Sequence, residues 1–343
     1  MIKIKDIKFS VKKYEYKKPF HITNSVRTEA FNVEVELITS NGIISKAEAS
    51  PSFRVCGENS DTVMSMADKA RSVLAGKDVK RYGNIFNDLK SAVDSPSLKA
   101  ALEFSILEAL CKESGIKVWN FLGGVKNEIE TDKTVVISNI KDMVLEAVNI
   151  KKEGFKILKI KVGENVDKDI EIMAEIYKKT KGMKYIVDAN TGYTPKQAVY
   201  FAKKLYSRGI DISVYEQPVD RNDIEGLRCV RFNSPYPVAA DESVKTIEDA
   251  VNLIKKEACD FINIKIMKMG FSNALSIIQL ARANDIKLMI GCMSESSLGI
   301  KQSVQLACGL GCFEFCDLDS HLLLNEKRNR GEFIQNKNII KVC

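Results

Sequence analysis

The chain has 343 residues, 45% of them hydrophobic, and a formal net charge of +7. That is enough to bury one large barrel-sized core beside a smaller companion. No run approaches the eighteen or so apolar residues of a membrane span, and Met1-Ile2-Lys3-Ile4-Lys5 lacks the apolar segment of a secretory signal, so the expectation is a cytoplasmic protein that engages no membrane. The lysine pairs Lys151-Lys152, Lys178-Lys179, Lys203-Lys204 and Lys255-Lys256 are scattered over helix exteriors, and no basic block is interleaved with aromatics, which argues against a nucleic-acid partner. The nine cysteines are odd in number and form no Cys-x-x-Cys pair, so they read as reduced, small hydrophobes. Cys308, Cys312 and Cys316 recur at a helical interval, but Gly309 and Gly311 argue against a helix continuing there.

In chain order, Ile2 to Val11, Asn32 to Thr39 and Ile43 to Ala49 alternate in the manner of strands. Ser40-Asn41-Gly42 supplies turn chemistry between the last two, and the three form an antiparallel meander. His21 to Glu29 and Ser50 to Ser60 read as irregular. From Asp61 the period becomes helical: Val63, Met66, Ala70 and Leu74 mark one helix, and Leu98, Ala101, Leu102 and Ile106 another, opened by Ser95-Pro96. This is an α+β unit whose boundary falls near Leu122-Gly123-Gly124.

Beyond Gly124 the pattern alternates strand and helix. Strand-like runs end at Ser138, Lys161, Asp188, Glu216, Asp241, Lys265, Gly291 and Asp317, roughly 25 residues apart. Eight βα units predict a (β/α)8, TIM-type barrel, an α/β fold whose chemistry sits at the C-terminal ends of the strands. Three successive ends carry the carboxylates Asp188, Glu216 and Asp241. Massed on one rim they would repel, whereas around a hard divalent cation, Mg²⁺ first, they become oxygen ligands. Strands two and six lie across the barrel and carry Lys159/Lys161 and Lys265. A lysine near other cations loses part of its preference for the charged form, so a base on each side of one carbon suggests proton abstraction on one face and delivery on the other. Spacing does not choose between Lys159 and Lys161. Asn190 is a plausible supporting donor.

The set Lys159-Ile160-Lys161, Asp188-Ala189-Asn190, Glu216-Gln217-Pro218, Asp241-Glu242-Ser243, Asn263-Ile264-Lys265-Ile266-Met267-Lys268 and Gly291-Cys292-Met293 resembles the enolase superfamily, in its muconate-lactonizing subgroup, and specifically the dipeptide epimerases. The resemblance spans nearly the whole chain. It implies a modified enolase barrel with an α+β N-terminal capping domain: a cap over residues 1–124, the catalytic barrel over 125–324, and a C-terminal segment, 325–343, returning to the cap. It implies one Mg²⁺ per active site on Asp188, Glu216 and Asp241, with the substrate carboxylate chelating the ion, and Lys161 and Lys265 as the acid/base pair. Lys159 would help hold that carboxylate. Glu242 either orients Lys265 or caps a helix. The implied activity is inversion of the C-terminal residue of an L-Ala-Xaa dipeptide by 1,1-proton transfer. The alternative on the same fold is an o-succinylbenzoate synthase or a muconate-type cycloisomerase. A homo-oligomer is also expected.

Asp317 and Asp319, two carboxylates at i and i+2, share a face and can grip the ammonium that a dipeptide supplies; an Asx-turn or helix cap is the plainer reading. Met293, just past strand seven, is placed among the substrate-binding residues. The side chain of Xaa should meet the two irregular cap segments. Related enzymes that prefer Ala-Glu carry an arginine five residues after the Phe of a Pro-Phe pair. In this chain that position after Pro19-Phe20 is Ser25, and the arginine is Arg27, so Xaa stays open between an acidic residue and a hydrophobic or mixed one, which His21, Ile22, Val26 and Phe53 fit at least as well. His21 and His321 read as structural.

Overall fold

The computed structural model describes residues 1–22 and 25–343, without the side chains at 22 and 25. Its first sheet is an antiparallel meander of β1 (Ile4–Ile22), β2 (Ser25–Thr39) and β3 (Ile44–Ala49). Gly42 turns the chain between the last two at φ 84°, a conformation that favours glycine. In the stretch from His21 to Glu29 the described residues are not irregular but strand. Phe20 pairs with Arg27 and His21 with Val26 in a long hairpin, with one register shift between Glu15 and Phe20. The polar residues Arg27 and Glu29 are held there by pairing with Phe20 and Glu15 rather than by an apolar alternation of their own.

The helix Pro96–Glu113 opens with Ser95 accepting the Leu98 N–H and Pro96 in its first turn. It is buried nearly all round because it lies between this sheet and the following barrel. Its Glu103 accepts the backbone N–H and hydroxyl of Ser272, each at 2.8 Å, and so caps the helix Phe271–Ala283. Most other barrel helices are opened locally by Asn139, Asn165, Thr194, Asp223, Thr246 or Ser296.

After β4 (Glu128–Glu130), eight parallel strands follow: β5 (Lys133–Val135), β6 (Ile157–Lys161), β7 (Lys184–Asp188), β8 (Val214–Glu216), β9 (Val238–Ala240), β10 (Phe261–Ile264), β11 (Lys287–Gly291) and β12 (Phe315–Asp317). A parallel bridge between Thr131 and Cys316 closes the ring. The first strand stops at Val135 rather than Ser138. The apolar run continues past it because Ile137 leaves the barrel to donate its N–H to the His21 carbonyl of the hairpin. The last two strands, β13 (Phe333–Asn336) and β14 (Ile339–Val342), pair with β4 in a small separate sheet, while Arg330 reaches Glu34 of the first sheet at 2.7 Å.

The helix Ser297–Leu310 runs through Cys308 and Gly309 but stops at Gly311, before Cys312 and Cys316, so of the two glycines only the second breaks it. A Cβ at Gly309 would stand 2.6 Å from the Leu122 Cβ, so glycine there permits close packing, and only Gly311, at φ 61°, ends the helix.

Period two organises the barrel interior. Ile157, Ile186, Val214, Ala239, Phe261, Met289 and Phe315, one from each of seven strands, form an apolar floor. Two residues further along, the same strands deliver Lys159, Asp188, Glu216, Asp241, Asn263, Gly291 and Asp317 to the next inward layer.

Candidate active site

Asp188, Glu216 and Asp241 are fully or almost fully buried, and one oxygen of each lies within 4.8 Å of the others. Lys161 donates to Asp188 Oδ2 and Lys265 to Asp241 Oδ2, each at 2.6 Å. Their strands, β6 and β10, are four places apart in a ring of eight, so the two ammonium groups face each other across the axis. Gly291 lets Lys265 pass, since a Cβ there would lie 2.8 Å from its Cε. Lys159 sits deeper, 1% exposed, with Nζ 2.6 Å from Asp317 Oδ2, 2.8 Å from Glu216 Oε2 and 3.1 Å from Asp188 Oδ2. Asp317 therefore pairs with a lysine, while Asp319 accepts the Thr134 N–H at 2.7 Å.

Burial opposes ionisation of Asp188 and Asp241, but Lys161 and Lys159 beside the one, and Lys265 and Lys268 beside the other, override it and hold both carboxyls below their ordinary range. At Glu216, burial joined by repulsion from Asp188 wins over Lys159, and its pKa is pushed up to about 7. The expected lowering of a lysine pKa is absent at Lys265. Burial, the largest single influence, works toward it, but the Asp241, Glu216 and Asp317 carboxylates together override burial and raise it. A hard cation suits the donor set: three inward-facing carboxylates in a water-poor layer, with Asn263 Nδ2 holding Glu216 Oε1 at 2.7 Å.

Above this layer lies a cavity of about 90 Å³, lined by Lys161, Lys265, Asp241, Glu242, Asn190, Asp317, Asp319 and Met293 from the barrel, and by Tyr16, Phe20, Arg27 and Arg54 from the first 124 residues. Asn190 Nδ2 donates to Glu242 Oε1 at 3.3 Å. Arg27 reaches only hydroxyls, Ser294 Oγ at 3.4 Å and Ser52 Oγ at 3.5 Å, and among the described residues no carboxylate pairs with it. The Ser25 side chain lies outside the described residues.

Three neighbours escaped the sequence reading. Arg54 donates to the Asn190 carbonyl and stands 3.9 Å from Glu242. The Tyr16 hydroxyl hydrogen-bonds Ser294 Oγ. Lys268, fully buried, binds the Asp241 carbonyl and its Oδ1, the latter at 2.6 Å. Lys268 could have been found from its place three residues after Lys265 in a buried run; Arg54 and Tyr16 carry no periodic signal.

Barrel, opposed lysines and a carboxylate triad on consecutive strands define a metal-assisted acid–base enzyme of the carbon-acid type. The family model "Enolase C-terminal domain-like" matches residues 142–342. The chain is 55% identical to the L-Ala-D/L-Glu epimerase of Thermotoga maritima over 335 residues, covering 98% of this chain and 97% of that protein. The substrate-liganded L-Ala-D/L-Glu epimerase of Bacillus subtilis superposes with TM-score 0.97 at 31% identity, covering 99% of this chain and 96% of that one. A dipeptide epimerase of Enterococcus faecalis, complexed with Mg and L-Leu-L-Tyr, gives TM-score 0.94 at 30% identity, covering 99% and 97%. The chain belongs to the enolase superfamily, within its group of dipeptide epimerases.

Proposed function

We propose that this isomerase inverts the α-carbon of the C-terminal residue of L-Ala-Xaa dipeptides, with one Mg²⁺ per site on Asp188, Glu216 and Asp241. The observation that carries the two-base mechanism is the placement of Lys161 and Lys265 on strands four apart, with the triad between them. When bound, the ion supplies charge neutralisation for an enolate. Asp188 and Asp241, which would hold the cation, are the carboxylates to which Lys161 and Lys265 donate, so both lysines stand at the edge of the ion site. One lysine, neutral, takes the α-proton as the C–H electron pair moves into the carboxylate. The other, protonated, returns a proton to the opposite face. Lys159 holds the substrate-carboxylate side of the site from below, and Asp317 and Asp319 receive the ammonium.

Asn190 and Glu242 support the rim, and Met293 and Arg27 border Xaa. Arg27, which has no carboxylate partner among the described residues, supports an acidic Xaa. A cycloisomerase or o-succinylbenzoate synthase is not favoured, since the relatives are dipeptide epimerases. The functional division is a cap of residues 1–124, a catalytic barrel of 125–324 and a tail of 325–343. The enzyme acts as a homo-oligomer in the cytoplasm, a setting that nine free cysteines support.

The test is incubation with an L-Ala-Xaa library in D₂O, read by mass spectrometry and chiral separation. Deuterium enters the α-carbon of Xaa, and Lys161→Ala and Lys265→Ala each abolish epimerisation. Exchange persisting in the double variant overturns the mechanism.

A further inference from the structure

We infer that Gln217 is a positioning residue for the ion site, and that its side-chain amide holds Asp241 in register with the other two carboxylates. The need arises in the sheet itself. The ladder between β8 and β9 has its last pair at Glu216 and Ala239, and β9 ends at Ala240, so Asp241 lies beyond the reach of strand pairing. Its backbone N–H is buried there, where an unpaired donor is not tolerated.

Gln217 supplies the missing partner. Its Oε1 accepts the N–H of Asp241 at 2.9 Å and that of Ser243 at 3.1 Å. Its Nε2 donates to the Val219 carbonyl at 3.0 Å and to Ser243 Oγ at 2.8 Å. Its own N–H donates to the Ala239 carbonyl and its own carbonyl accepts the Thr191 N–H, both at 2.9 Å. Thr191 follows Asp188 by three residues, so one fully buried side chain and its peptide tie together the ends of β7, β8 and β9, which carry the three ligands. Every hydrogen-bonding position of the amide is used.

The backbone points the same way. Gln217 stands at φ 34° and Asn190 and Thr191 at 44° and 71°, a left-handed region uncommon outside glycine. Such conformations persist where the surroundings over-determine them, and here two adjacent strand ends adopt them, starting two residues after Asp188 and one after Glu216. Glycine at 217 would relieve the backbone but leave Asp241 unheld, so the side chain is what this position requires.

The inference rests on the reading of Asp188, Glu216 and Asp241 as ion ligands. The test is calorimetric titration of Mg²⁺ into the unsubstituted protein, Gln217→Gly and Gln217→Met, with thermal unfolding in EDTA and kcat measured across Mg²⁺ concentrations. Loss of a residue that orients ligands weakens metal binding roughly 10- to 100-fold. The Mg²⁺ Kd should rise by that factor in both variants, and kcat should recover as Mg²⁺ exceeds the new Kd, which a purely structural role would not produce. Ser243→Ala, which removes one partner of Nε2, should raise the Kd severalfold and serves if the Gln217 variants do not fold. Equal Mg²⁺ affinity in folded variants overturns the inference; failure of the unsubstituted protein to take up Mg²⁺ overturns the ligand reading instead.

Discussion

Replacing Lys159 by Met removes a charge from the centre of the barrel while keeping a side chain of similar length. Lys159 Nζ lies within 3.1 Å of carboxylate oxygens from Asp317, Glu216 and Asp188, and the side chain is 1% exposed. Deleting one partner of a buried ion pair costs roughly 3–5 kcal/mol, because the other charge is left without compensation. Three contacts do not triple that figure, since a stranded carboxyl can take up a proton instead. Glu216, already pushed up to about 7, does so first.

The expected loss in urea unfolding with EDTA at pH 8 is therefore about 3–5 kcal/mol. The sign of its pH dependence follows from Glu216: a carboxyl raised in the folded state contributes stability at low pH that is lost as pH rises through about 7, so the deficit of Lys159→Met narrows at pH 6. Saturating Mg²⁺ also narrows it, because removing an ammonium 2.8 Å from Glu216 and 3.1 Å from Asp188 lets the variant bind the cation more tightly than the unsubstituted protein, and mass action then stabilises the variant more. A deficit below about 1 kcal/mol in EDTA at pH 8 would refute the view that Lys159 holds the carboxylates together.

His321 is buried against Phe333, with Nε2 2.5 Å from Gln335 Oε1, and burial lowers its pKa from 6.5 to about 4. A histidine lowered in the folded state contributes stability above its unfolded pKa that is lost as pH falls. Between pH 7.5 and 5 it should remove about 2 kcal/mol, and His321→Gln should show a correspondingly flatter urea-midpoint profile over that range. Arg27→Met removes the cavity guanidinium that has no carboxylate partner among the described residues. A charge-assisted hydrogen bond contributes about 1.5–3 kcal/mol, so kcat/KM for L-Ala-Glu should fall roughly ten- to hundredfold while apolar Xaa substrates change little. Equal losses for L-Ala-Glu and L-Ala-Phe would remove Arg27 from the specificity pocket.

The barrel was legible because each βα unit is a local object. Strand alternation and helix period are set by residues a few positions apart, and the repeat carries the fold. The same locality made the strand ends readable: Asp188, Glu216 and Asp241 stand two residues beyond Ile186, Val214 and Ala239 on the same inward face. The hairpin from Phe20 to Arg27 was not legible, since its polar residues are held by ladder bonds to a partner strand rather than by their own pattern.

From the amino-acid order alone came the number of barrel strands, the carboxylate triad and the opposed lysines, because chain periodicity decides which side chains reach the mouth. Only the closed ring decided what those side chains meet there. Lys159 bridging Asp317, Asp188 and Glu216, Lys268 under Asp241, Arg54 over Asn190 and Gln217 across three strand ends all join residues far apart in the chain or past the ends of their strands. Such contacts depend on curvature and register around the barrel, which no local period encodes.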